Sequence, residues 1–200
     1  MGKQTYSLTQ VLDKAVDRKI EYAAPHMARS AAAVQCAHWS APAPSWYKIN
    51  FDGAVFERED SAGLGVVIRN SEGLVMASLS QLVPLPFSVI EVEALAARRA
   101  LEQAMEIGLD RVILEGVSSV LIHALQSESR PRAQFSHLPN DISFLGSHFT
   151  SLKFSHVRRH CNKVAHSLAR RANISPLLSV WIKDVPLDVE IILMTDLISL

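Results

Sequence analysis

The sequence predicts an α/β domain: a five-stranded mixed sheet whose first three strands are antiparallel, with helices on both faces. Three observations carry this. Between Trp46 and Ser80, apolar and polar residues alternate with strand periodicity across connections too short to hold a helix. From Glu91 onward, helical stretches alternate with strands, the order expected of parallel βα units. Finally, 48% apolar residues in a chain of 200 supply the core of one ordinary domain and exclude wholesale disorder.

The elements follow in chain order. Residues 1–45 read as a separate arm: a helix over Leu8 to Tyr22, an alanine-rich stretch, then a linker from Trp39 to Trp46 whose two prolines favour an extended path. A domain boundary near Ser45 leaves 46–200 as the folded domain. Tyr47, Ile49 and Phe51 alternate with Lys48, Asn50 and Asp52 to form the first strand, which ends at Asp52. Gly63 to Arg69 and Leu74 to Ser80 form the next two, joined by a turn over Asn70–Gly73. Glu91 to Ile107 is helix-favouring, with Gly108 as its stop. Arg111 to Val117 is the fourth strand, and Ser118 or Ser119 caps a short helix through Leu125. A less regular helical segment spans Asp141 to Phe149, Leu152 to Val157 is the fifth strand, and Asn162 to Asn173 is a final helix.

Charge and cysteine content narrow the function classes. With 20 basic and 20 acidic residues the chain is neutral, so neither a uniformly basic nucleic-acid glue nor an acidic tail is expected. Two distant cysteines, Cys36 and Cys161, exclude a disulfide framework and a four-cysteine zinc site, and no disulfide-linked partner is expected. No secretory leader and no apolar run of membrane length is present, so an intracellular protein of the nucleus or cytoplasm, without a membrane partner, is expected.

Three features invite chemistry. Asp52 closes the first strand on its polar face and is followed by Gly53 and Ala54, small residues that admit the close approach of another backbone. Glu93 begins a helix stripe completed by Ala97, Ala100, Leu101 and Ala104; a carboxylate on a packing face is costly unless something meets it. Between Lys153 and Arg171 stand six Lys and Arg and three His with no Asp or Glu, a patch suited to phosphates.

Five motifs then stand in order: Lys48-Ile-Asn-Phe-Asp-Gly-Ala54, Gly63-Leu-Gly-Val-Val-Ile-Arg-Asn70, Glu93-Ala-Leu-Ala-Ala-Arg98, Val112-Ile-Leu-Glu-Gly-Val-Ser118, and His156-Val-Arg-Arg-His-Cys-Asn162 with Ala165-His-Ser-Leu-Ala-Arg170. Together they resemble the ribonuclease H-like domain of plant proteins, the reverse-transcriptase-associated type 1 family. Val180-Trp-Ile-Lys-Asp-Val-Pro186 through Leu197 resembles that family's closing segment. The likeness runs from Trp46 to Leu200. It implies a metal-dependent endonuclease that cuts the RNA strand of an RNA–DNA hybrid using two Mg²⁺, with Mn²⁺ as a substitute. By resemblance Asp52 and Glu93 are catalytic metal ligands, His156 assists proton movement or product release, and His166 stands where many relatives carry a fourth acidic ligand. Gly53, Ala54, Arg158, Arg159, Asn162 and Lys163 are expected at the nucleic-acid surface.

One position departs from the family. Where its fourth strand ends in Asp-Ser, this chain has Val117-Ser118. Two dications about 4 Å apart need several anionic ligands against their mutual repulsion. Glu115 lies one pleat repeat away, roughly 6.6 Å along the strand, and neutral imidazole at His166 is a poor ligand for hard Mg²⁺. Weakened metal binding and impaired hydrolysis are therefore expected, in a monomer that binds RNA–DNA hybrid or structured RNA. The alternative reading is a non-catalytic hybrid- or RNA-binding module, or a retroelement-derived scaffold.

Overall fold

The computed structural model describes residues 38–127 and 138–197, all within one compact unit spanning Cys36–Leu200. The helix expected over Leu8 to Tyr22 lies outside the described residues. Strands β1 (Tyr47–Phe56), β2 (Ser61–Arg69) and β3 (Val75–Pro84) lead into helix α1 (Val89–Glu106), then β4 (Arg111–Gly116), α2 (Ser119–Gln126), α3 (Leu138–Gly146), β5 (Ser151–His156), α4 (Lys163–Arg171), β6 (Leu178–Ile182) and α5 (Leu187–Leu197). The sheet order is β5-β4-β1-β2-β3-β6. β1, β2 and β3 are successively antiparallel, β4 runs parallel to both β1 and β5, and β6 is antiparallel to β3.

The sheet therefore has six strands and not the five expected. β6 is short, and its apolar residues Leu178, Val180 and Ile182 stay exposed on the sheet edge, so neither length nor burial marks it in the sequence. The first strand also runs on past Asp52. The small pair Gly53-Ala54 suggests a break, yet pairing with β2 continues to Phe56↔Ser61. Asp52 is thus mid-strand, opposite Gly65, and only the parallel pairing to β4 stops before it, at Asn50↔Glu115.

Local chemistry sets the connections. Asn70 Oδ1 accepts from the backbone N–H groups of Glu72 and Leu74, and Gly73 takes a positive φ of 79°, which closes the β2–β3 turn. Ser88 caps α1 by accepting from Glu91 N, and the helix stops ahead of Gly108 at φ 75°. Helices cover both faces. On one side, Val92, Ala96, Ala97, Ala100 and Leu101 of α1 join Ile49, Phe51, Leu64, Val66, Leu79, Val112 and Leu114 in the main core. On the other, Val164, Ala165 and Leu168 of α4 pack with Val67 and with Val189 and Leu193 of α5.

That second face also carries a buried polar network. Asn50 Oδ1 accepts from the Trp39 indole at 2.8 Å and from Arg69 Nη2 at 3.1 Å, while Asn50 Nδ2 donates to Glu115 Oε2. Arg69 lies over the Trp39 ring and pairs with Asp196 of α5 at 3.0 Å. Trp39, placed in a linker by the prolines beside it, is only 2% exposed.

Candidate functional site

Two chain segments bring the first carboxylates together. Strand alternation puts Asp52 on the same face as Asn50, and α1 enters the sheet with its first turn against β1. A Cβ built on Gly53 would lie 2.7 Å from Val92 Cγ1 and 3.3 Å from the Val92 carbonyl carbon, so glycine lets α1 come this close without displacing Val92. The backbone that approaches Gly53 is therefore that of α1. Asp52 and Glu93, 4% and 8% exposed, meet there.

Burial dominates their ionisation. Loss of solvent pushes Glu93 up to about 8; the neighbouring Asp52 charge adds to the rise, and the Arg159 guanidinium opposes it. Burial likewise raises Asp52, against the hydrogen bond and charge of His166 and the charge of Arg159. His166 Nδ1 sits 2.6 Å from Asp52 Oδ2, held by α4, and Asn162, just ahead of that helix, anchors the segment by donating from Nδ2 to Phe51 O at 2.9 Å. Glu93 Oε2 is buried without a hydrogen-bond partner, the state of a ligand atom awaiting a cation or a proton.

The remaining positions divide. His156 is exposed, and its Nε2 lies 3.1 Å from the Val117 carbonyl oxygen, which brings it to the rim of the same site. Arg158, Arg159 and Lys163 are exposed beside it. Ala54 and Asn162, expected at the nucleic-acid surface, are buried instead. Ala54 packs with Phe56, Ala169 and Ala172 beneath α4, and Asn162 is 1% exposed. The burial of Ala54 depends on a helix more than a hundred residues later and that of Asn162 on β1, 111 residues earlier, which local pattern does not reveal. The basic run is also less free than its composition implies, since Arg171 is paired with Asp188 of α5.

Continuing the parallel register from Asn50↔Glu115 sets Val117 opposite Asp52, so the position to which the resemblance would give a third carboxylate is beside the pair and holds an apolar side chain. Glu115 does not replace it. Its carboxylate is buried and occupied: Oε2 accepts from Asn50 Nδ2 at 2.9 Å, Oε1 accepts from Ser155 Oγ at 3.1 Å, and Lys48 Nζ lies 3.4 Å from Oε1. Among the described residues no group of three or more His, Cys, Asp or Glu is arranged to hold a metal ion. The orphaned Glu93 oxygen suits one cation, but the donor set as a whole does not fit a pair of Mg²⁺.

No curated protein matches the chain. Among solved structures it is similar to RNase H1 of the halophilic archaeon Halobacterium salinarum, with 23% identity, a TM-score of 0.59, and coverage of 64% of this chain and 98% of that one. It is also similar to the N-terminal RNase H domain of a Mycobacterium tuberculosis protein, at 20% identity and a TM-score of 0.57, covering 64% and 92%. LC11-RNase H1, isolated from compost by a metagenomic approach and solved in complex with RNA/DNA hybrid, matches at 23% identity with a TM-score of 0.56, covering 64% and 99%. At these identities the likeness is one of fold. The sequence model described as "Reverse transcriptase-like" matches residues 50–172, more than half of the chain and the whole span from Asn50 to the end of α4. The chain belongs to this reverse transcriptase-like family and carries a ribonuclease H-like domain.

Proposed function

We propose that this chain is a ribonuclease H-type domain that binds RNA–DNA hybrid, with hydrolysis of the RNA strand impaired at Val117. The observation that carries the proposal is the pairing of a preserved Asp52–Glu93 carboxylate couple with an apolar third position whose nearest acid, Glu115, is held by Lys48, Asn50 and Ser155. Binding is supported by the exposed cations Arg158, Arg159 and Lys163 beside that couple, since phosphate contacts supply most of the affinity in such complexes. Recognition would rest on phosphates and 2′-hydroxyls across a wide minor groove, with little base reading. This chain's own residues set the electrostatics: Arg159 and His166 offset the charge of the couple, and His156 stands at the rim beside the Val117 carbonyl.

The test is a labelled RNA–DNA hybrid, titrated for binding and then incubated in Mg²⁺ or Mn²⁺ with the natural chain and with Val117→Asp. The natural chain should bind and cut little or not at all. Metal charge stabilisation is worth several kcal/mol, and a loss of about 4 kcal/mol slows cleavage roughly a thousandfold. Val117→Asp should gain measurable cleavage, and Asp52→Asn in that background should abolish it, because Asn keeps the shape and removes the charge. Robust turnover by the natural chain would overturn the impairment. Absence of hybrid binding would overturn the function and leave the reading as a retroelement-derived scaffold.

A further inference from the structure

We propose a second nucleic-acid contact, formed by Trp46, Arg111 and Lys153, that takes a backbone phosphate of the same bound strand or duplex some distance from the carboxylate couple. The inference rests on the hybrid-binding reading above.

The cluster is built from three elements. Trp46 immediately precedes β1, Arg111 opens β4, and Lys153 lies in β5. The Lys153 ammonium stands 4.3 Å from the centroid of the Trp46 ring and the Arg111 guanidinium 5.1 Å from it. The ring is half-buried, while both cations belong to exposed residues. A cation held over an aromatic face has given up part of its rotamer freedom, so less entropy remains to be lost when a phosphate arrives. Among the described residues neither cation forms an ion pair. The acids on this face are already matched, Glu115 by Lys48 and Asp52 by His166. Two exposed, unneutralised cations fixed by one ring suit a phosphodiester better than a carboxylate of this chain.

Placement ties the cluster to the nucleic-acid reading. Lys153 shares its side of β5 with Ser155, which bonds Glu115, and Glu115 bonds Asn50, two residues from Asp52 on the same side of β1. The cluster and Asp52 therefore share one sheet face. Trp46 precedes Asp52 by six residues, about 20 Å at roughly 3.3 Å per residue, which is a few nucleotides of backbone. Helices α1, α2 and α3 pack on the opposite face, and α4 lies over β1, β2 and β3, so β4 and β5 present this side without a described helix across it. The likeness on which the hybrid-binding reading rests assigns nothing to these three residues.

The experiment measures binding of a 20-base-pair RNA–DNA hybrid over a salt series by the full chain and by Arg111→Gln/Lys153→Gln, with thermal melts confirming the fold. Affinity should fall about tenfold, and the log–log salt slope should become shallower by about 1.5, as expected for two lost phosphate contacts. The charge-matched pair Arg98→Gln/Arg99→Gln, on α1 across the sheet, should change neither. Trp46→Phe should keep most of the affinity and Trp46→Leu should lose part of it, since only the former keeps a ring beneath the cations. If the natural chain binds hybrid and the double variant binds it equally, with the same slope, this second contact is overturned and the primary reading stands. If the natural chain binds no hybrid at all, both fall together.

Discussion

Glu93 is where the chemistry of this domain is most exposed to measurement. Its carboxyl ordinarily ionises near 4.5 and is pushed up to about 8 in the fold, first by burial and then by Asp52. A group that binds its proton more tightly when folded stabilises the native state most at low pH, and that contribution is lost as pH rises from about 4.5 toward 8. Asp52 is shifted in the same direction. Glu93→Gln removes the titration while keeping the shape. The variant should therefore match the natural chain near pH 4.5 and exceed it at pH 8.5 by about 4–5 kcal/mol, or roughly 10–20 °C in Tm for a domain of this size. Thermal melts across pH would show a constant difference if Glu93 were not the group responsible. Both carboxylates were legible from pattern alone: Asp52 from strand alternation, and Glu93 from its place on a face of Ala97, Ala100, Leu101 and Ala104, all of which are buried. The commitment of Glu115 to Lys48, Asn50 and Ser155 was not legible, because it depends on the β1–β4–β5 register and not on any local spacing.

At the scale of elements, the closeness of β2 and α4 sets how deep the second face can be. A Cβ at Gly65 would lie 2.2 Å from both Ala165 O and Ala169 N, and one at Gly63 would lie 2.0 Å from Ala169 O. These contacts are with helix backbone, which has no rotamer to yield. Gly65→Ala should therefore push α4 outward at a cost of about 3 kcal/mol, the upper range for overpacking, read as a lower midpoint in urea. Because α4 carries His166, the same variant should lengthen the His166–Asp52 contact, and the imidazole resonances would report it. The order of strands and helices from Tyr47 to Arg171 could be read from period changes. β6 and α5 could not, since β6 is a five-residue edge strand with exposed apolar side chains and α5 is apolar around much of its circumference. Their positions follow from pairing with β3 and packing on α4.

For the molecule as a whole, the buried network joins parts that the sequence sets far apart. Arg69 is fully buried in β2, stacked on Trp39 ahead of the sheet and paired with Asp196 in the last helix. Burial lowers the Arg69 pKa to about 10 and Asp196 opposes the shift, so at neutral pH the cation is present and needs its partner. Removing one member of a buried pair leaves an uncompensated charge and typically costs about 3–5 kcal/mol. Asp196→Asn should lower stability by that order, measured by denaturant unfolding, while Asp188→Asn at the exposed pair with Arg171 should cost less than about 1 kcal/mol.

The segment that defines the family, residues 50–172, contains Asn50 and Arg69 but neither Trp39 nor Asp196. A recombination event that moved only that segment into another protein would strip Arg69 of its Trp39 stack and its Asp196 partner and deprive Asn50 Oδ1 of its indole donor. Trp39 and Asp196 must therefore travel with the sheet. The unit that gene shuffling can transplant intact is bounded by its salt bridge and its stacked indole, and it is longer at both ends than the homologous stretch.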